Sequence, residues 1–308
     1  MMQVRHYCSK LSAINRFFSG HQSPSQMQCD EIARAVSGAS TVRPVISPGS
    51  MSHTVICNER PGPQEDLIVS FREPGARLDG QMVELAKGIH GDLVVPESTC
   101  LGNVEGADPP LSIYLMPYLQ GSSCIEVLAF QVEMDPEEEA RHGVFVKHLA
   151  RYFGRSRLNE SLPLLFSQDY PQVLTHGDFS LTNILVDENE FGTTGIVNWS
   201  PAAAMPFGME LDILFLITGF MTKDGWYDYR CTQLLQETFW EEFWVVTGTE
   251  GGERRGRIRR LAEAAAQIGA ILRLAFRRNA DGSPSEDVLA LESRMEQLRT
   301  WFGLRGVD

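Results

Sequence analysis

A chain of 308 residues with 43% hydrophobic and 22% charged residues has ordinary globular composition and enough length for two lobes or one large domain. Its formal net charge of -13 repels phosphate backbones and anionic headgroups, so no nucleic-acid partner is expected. No apolar run reaches the length of a membrane span, and the most apolar stretch, residues 211–220, is too short and contains Asp212.

Residues 1–29 hold Arg5, Lys10 and Arg16 with no acid before Asp30, and Val4, Tyr7, Leu11, Ile14 and Phe18 fall at helical spacing. This pattern fits an organelle transit segment or a leading amphipathic helix packed on the first lobe; the helix is the reading taken. The six cysteines, Cys8, Cys29, Cys57, Cys100, Cys124 and Cys231, show no CxxC pair or zinc spacing and predict free thiols in a reducing, cytoplasmic setting.

Residues 25–36 predict a short helix stopped by Ser37-Gly38, and residues 42–46, 53–57 and 67–71 predict strands of a small antiparallel sheet. A helix over 81–89 and strands over 93–95 and 111–115 follow. Pro117 and Gly121 punctuate the chain where the pattern turns from strand-rich to helix-rich, giving a first lobe over 1–116, a hinge over 117–121 and a helical lobe over 122–308. Asp135-Pro136-Glu137-Glu138-Glu139 is a helix start with an Asp cap, Pro in the first turn and acids at the positive end of the dipole. Beyond a strand-turn-strand unit at 173–198, helices are predicted over 208–220, 229–246 and 257–278, with a last one capped by Ser283 and running to about Phe302.

The chemistry concentrates in one loop. His176-Gly177-Asp178 follows a short apolar strand, and Asn183 opens the next strand, Ile184-Leu185-Val186. Phosphoryl transfer needs such a loop: a carboxylate to accept the acceptor's proton and an amide oxygen to hold Mg2+. The return strand, Thr193-Thr194-Gly195-Ile196-Val197, delivers Asn198 and Trp199 beside it.

The run Leu174-Thr175-His176-Gly177-Asp178-Phe179-Ser180-Leu181-Thr182-Asn183-Ile184-Leu185-Val186-Asp187, followed by Gly195-Ile196-Val197-Asn198-Trp199-Ser200-Pro201-Ala202 and Pro206-Phe207-Gly208, resembles the aminoglycoside phosphotransferase and choline kinase group, in particular its divergent fungal-type members. The resemblance implies an α+β, protein-kinase-like two-lobed fold with a small antiparallel-sheet N-lobe and a helical C-lobe. It implies Asp178 as base, His176 as the residue shaping the loop, Asn183 as a Mg2+ ligand, and backbone near Met116 and Tyr118 as the adenine contact.

Two positions depart from that pattern. The family carries aspartate where this chain has Asn198, and Mg2+ sites rely on one or two carboxylates besides the phosphates. The nearest carboxylates in sequence are Asp187 and Glu210. In the first lobe, Ser70 stands where a Lys or Arg would face the phosphates. Arg72, two residues on and on the same strand face, either substitutes for it or is an exposed strand-end charge. Glu84 is either the partner of that cation or a solvated charge. The turn containing Ser47, Gly49 and Ser50 is either a phosphate-covering loop or an ordinary hairpin turn. His53, His90, His142 and His148 show no ligand spacing and predict surface or helix-face residues.

Two readings of function follow. One is a repurposed natural-product biosynthetic enzyme of secondary metabolism, a pseudokinase without a resident cofactor. It would perform a cyclisation or isomerisation on an apolar small molecule in an interlobe cavity walled by Tyr118, Trp199 and Trp226. The other is a small-molecule kinase that uses ATP and Mg2+, with Asn183 and Asn198 at the metal. A nucleotide-sensing scaffold is a third option.

Overall fold

The computed structural model describes residues 14–45, 50–61, 65–91, 94–128, 131–155, 171–222, 225–278, 284–288 and 291–302. Residues 1–13 of the expected leading helix and the turn residues Ser47, Pro48 and Gly49 lie outside them. The chain divides into two compact units, residues 1–84 with 96–119 and residues 85–95 with 120–308.

The first unit is built on five antiparallel strands: β1 (Thr41–Pro44), β2 (Ser52–Asn58), β3 (Leu67–Arg72), β4 (Thr99–Asn103) and β5 (Ser112–Pro117), in the order β1-β2-β3-β5-β4. The period of two along a strand sorts its side chains. Val55 and Cys57 of β2, Val69 and Phe71 of β3 and Ile113 of β5 share a core with Cys29 and Ala33 of the helix Gln26–Ser37. Complete burial of a side chain the size of Phe71 is worth about 1.5–3 kcal/mol. That helix starts with a capping box between Ser25 and Gln28 and ends at Gly38, whose φ of +70° suits glycine. Residues 14–19 are also helical, and Phe17 enters the same core. The opposite face of the sheet is polar: Thr54 pairs in register with Ser70 and Ser70 with Tyr114, while Arg72 lies between Ser52 and Ser112.

In the second unit the helices Pro136–Arg155 and Thr232–Thr247 pack together, with the Phe153 and Phe239 rings 6.1 Å apart. Asp135 caps the first of them, its Oδ1 accepting the Glu138 N–H at 2.9 Å. Short strands frame the loop that follows: β6 (Ser122–Ser123), β8 (Ile184–Val186) and β9 (Thr193–Ile196) form one antiparallel set, and β7 (Gln172–Thr175) pairs with β10 (Ala203–Pro206).

Several expectations need correction. The helix expected over 208–220 is only Ile213–Ile217, and the chain then forms a hairpin of β11 (Gly219–Thr222) and β12 (Gly225–Asp228). The Thr218 hydroxyl donates back to Leu214 O at 2.7 Å at the helix end, and β-branched and aromatic residues continue as strand. The helix expected over 257–278 runs over Gly252–Leu274 and gives way to β13 (Phe276–Arg278), paired with β14 (Pro284–Val288). Pro284 therefore opens a strand, a position that needs no ladder N–H, and the last helix is Glu292–Trp301. Residues 94 and 95 are turn and bend, not strand. β4 was not expected because its residues are exposed throughout and show no alternation. Of the histidines expected at the surface or on a helix face, His90 and His142 are on helices, on buried faces, and His53 is neither, being buried in β2.

Candidate active site

The loop between β7 and β8 gathers four of the singled-out residues. His176 is buried, with its ring 4.8 Å from that of Trp199. Its Nδ1 accepts the Asp178 N–H at 3.2 Å, so Nε2 carries the proton and donates to Val197 O at 2.7 Å. Both ring nitrogens are thus used to shape the loop, and burial pulls the imidazole pKa down to about 4. Gly177 has φ +79°, and a Cβ there would lie 2.0 Å from the Pro201 carbonyl oxygen, so only glycine fits.

Asp178 is half-buried. Asn183 Nδ2 donates to Asp178 O at 2.8 Å and to Asp178 Oδ2 at 3.1 Å, while Asn183 Oδ1 accepts Asn198 Nδ2 at 2.8 Å. Asn198 is exposed and has φ +68°, a left-handed conformation that asparagine adopts more readily than most residues. The result is a directional chain of amides from Asn198 through Asn183 to Asp178.

This donor set does not fit Mg2+. The Asn183 oxygen that would bind a cation already uses one of its two lone pairs on the Asn198 N–H, and Asn198 brings no charge to the site. Turning the Asn183 amide to free it would place its oxygen against the Asp178 oxygens and forfeit two hydrogen bonds. Among the described residues no three His, Cys, Asp or Glu side chains cluster at metal-binding distance. Neither neighbouring carboxylate compensates. Asp187 caps its own turn, accepting the N–H groups of Asn189 and Glu190 at 2.8 Å. Glu210 is buried with both oxygens engaged.

The part Glu210 plays was not read from the sequence. Its Oε2 accepts the His176 N–H at 2.9 Å and its Oε1 the Gly177 N–H at 2.6 Å, fixing the loop backbone from behind. Burial raises its pKa to about 7 against the downward pull of those two donors and Arg273. Two residues on, buried Asp212 accepts Arg273 Nε at 2.6 Å and Nη2 at 3.3 Å. Burial acts to lower the Arg273 pKa, and Asp212 more than reverses it. The available signal was a pair of acids flanking Leu211 in an otherwise apolar segment, since acids are rarely buried without partners.

The remaining candidates are placed as follows. Trp199 is core, its Nε1 donating to Ile196 O at 2.9 Å and its ring packed by His90 and Tyr152. Trp226 is core elsewhere in the same unit, edge-on to Trp301 at 5.1 Å. The expectation that these two line one cavity is therefore corrected. In the first unit Arg72 is buried, which removes the exposed-charge alternative; its Nε donates to Ser70 Oγ at 3.2 Å and its Nη1 to Ala76 O at 3.3 Å. Burial lowers its pKa to about 10, so it stays charged at neutral pH. Ser50 and Glu84 are exposed, Met116 pairs with Ile68 in β5, and the Tyr118 N–H donates to Asp66 O at 3.1 Å.

A unit built on a five-stranded antiparallel sheet and a mostly helical unit that carries the His-Gly-Asp loop make this an α+β chain of two compact units. No family model matches the sequence, and no curated protein matches it. Among solved structures, an aminoglycoside-3'-phosphotransferase of type VIII is similar with TM-score 0.44 and 14% identity over 77% of this chain and 98% of that one. A thermostable mutant of an aminoglycoside phosphotransferase, in ternary complex with ADP and hygromycin B, gives 0.46 and 14% over 79% and 90%. WaaP in complex with acyl carrier protein gives 0.43 and 15% over 75% and 91%.

Proposed function

We propose that this chain is a small-molecule enzyme on a kinase-type scaffold, using Asp178 as a proton acceptor and donor in a step other than phosphoryl transfer, without resident Mg2+ or nucleotide. The observation that carries this reading is the Asn198 amide donating to Asn183 Oδ1, where a metal-dependent transferase needs an oxygen free for its cation. In an isomerisation or ring closure the Asp178 carboxylate takes a proton from one atom of the substrate and returns it to another, so the step balances within the substrate. His176 has no free nitrogen for this work and acts by holding the Asp178 backbone. Two neutral amides beside one carboxylate suit an uncharged, largely apolar substrate of a natural-product pathway better than a triphosphate, which the net charge of -13 also repels.

The second reading, an ATP- and Mg2+-dependent phosphotransferase, draws on the paired Asp178 and Asn183 and on the buried Arg72. Titration calorimetry of the full chain with ATP, with and without Mg2+, separates the two. No saturable heat is expected, and micromolar, Mg2+-dependent binding would establish the second reading in place of the first.

A further inference from the structure

The helical unit contains a cavity of about 260 Å³ distinct from the Asp178 loop. Leu211, Trp240 and Ala266, all buried, form part of its lining. Phe215 and Trp301, half-buried and stacked at 5.1 Å with an interplanar angle of 23°, supply further aromatic surface. Polar groups come from half-buried Gln236 and exposed Glu263 and Gln267, which mark the mouth.

The volume lies just under the roughly 300–1,000 Å³ usual for ligand pockets, which limits the occupant to one or two rings. Flat aromatic walls favour a planar molecule, because aromatic pairs gain beyond simple burial. The charge pattern sets its polar edge. Arg259 already lies 5.6 Å from the Trp240 ring centroid, and its Nε donates to Glu263 Oε1 at 2.8 Å while both its Nη groups donate to Glu237. The local cation and the Glu263 carboxylate are therefore engaged with each other, and the remaining polar groups of the lining both donate and accept: the Gln236 and Gln267 amides and the Trp301 Nε1–H, which has no hydrogen-bond partner among the described residues.

Leu211 also connects this cavity to the loop. The residue before it, Glu210, holds the His176 and Gly177 N–H groups, and the residue after it, Asp212, is paired with Arg273. The same segment is pressed against the helix Gly252–Leu274, where a Cβ at Gly269 would lie 1.8 Å from the Met209 carbonyl oxygen. A molecule packed on Leu211 therefore restrains the residues that restrain the loop, which is a coupling between two sites through one shared element.

We infer that this cavity binds a planar one- or two-ring, largely apolar molecule with one hydrogen-bonding edge, and that filling it steadies the backbone of the Asp178 loop. The inference is independent of which reaction Asp178 serves. Indole is a suitable probe for the full-length protein, with saturation-transfer NMR to measure binding and hydrogen exchange to follow the His176 and Gly177 amides. Saturable binding is expected, weakened about tenfold or more by Ala266→Phe, which fills the cavity. Exchange of the two amides should slow about threefold or more at saturating indole. If Ala266→Phe fails to fold, Gln267→Trp at the exposed mouth should give the same loss. Non-saturable binding, or wild-type affinity in whichever variant folds, would overturn the site; saturable binding with unchanged amide exchange would overturn the coupling.

Discussion

Replacing Asn198 by aspartate tests the amide chain directly. The substitution removes the N–H that donates to Asn183 Oδ1 at 2.8 Å and sets two acceptors against each other. Loss of that hydrogen bond costs about 1 kcal/mol. The new carboxylate would be linked to that of Asp178 through the Asn183 amide, by contacts of 2.8 and 3.1 Å, and at an exposed position with a dielectric near 80 a separation of roughly 7 Å adds about 0.6 kcal/mol of repulsion. Aspartate also tolerates the left-handed backbone, so φ +68° adds little. The sum, about 1.5 kcal/mol, should lower the thermal midpoint by about 2 °C in EDTA. Mg2+ should reverse the loss, because the substituted site has the carboxylate that the natural one lacks. A site of about 1 mM affinity regains roughly 1.4 kcal/mol at 10 mM Mg2+. The wild type should be indifferent to the ion. Differential scanning fluorimetry of both proteins in EDTA and in Mg2+ measures all four states. Equal stabilisation of both by Mg2+, or no loss on substitution in EDTA, would refute the argument that an N–H occupies the cation's place.

Glu210→Gln should destabilise the chain more at pH 5 than at pH 8. A carboxyl raised from 4.5 to about 7 by folding contributes stability that is present below 4.5 and lost as pH rises through 7. The difference between the two pH values should approach at most about 3 kcal/mol by urea denaturation. His90 and His176, held neutral at about 3 and 4 by burial, act in the opposite sense, because unfolding lets them take up protons below 6.5. Two imidazoles outweigh one carboxyl, so wild-type stability should fall as pH drops from 6.5 to 4, followed by circular dichroism. Trp199→Ala should cost about 3–5 kcal/mol of global stability, as expected for a core aromatic. A Trp199→Ala protein with an unchanged denaturation midpoint would contradict its placement in the core.

What could be read from the sequence was local. The His176-to-Asn183 spacing is short-range and so is its geometry: every hydrogen bond among Asp178, Asn183 and His176 spans at most seven residues. The Asp135 cap is equally local. In β3, the alternation that sends Val69 and Phe71 to the core also puts Ser70 and Arg72 on one face, where they hydrogen-bond. The misreadings arose where partners lie far along the chain. Residues 208–220 are apolar on every side, so period could not separate helix from hairpin, and the engagement of Glu210 depends on amides 33 and 34 residues away. Trp199 and Trp226 were assigned to a pocket because aromatic residues serve both cores and pockets, and composition cannot tell the two apart.

The amide chain also bears on how such a site could change its chemistry. Asn198 is exposed and joined to its neighbours by side-chain amides, whereas His176 and Glu210 are buried in bonds that hold the backbone and Asp212 is buried against Arg273. Codons for asparagine and aspartate differ by a single base. On the proposed reading, the residue that separates a metal-dependent loop from a metal-free one is thus the exposed member of the set. A lineage carrying this scaffold could cross between the two chemistries in one mutational step, at a cost in stability small enough for the folded state to survive it.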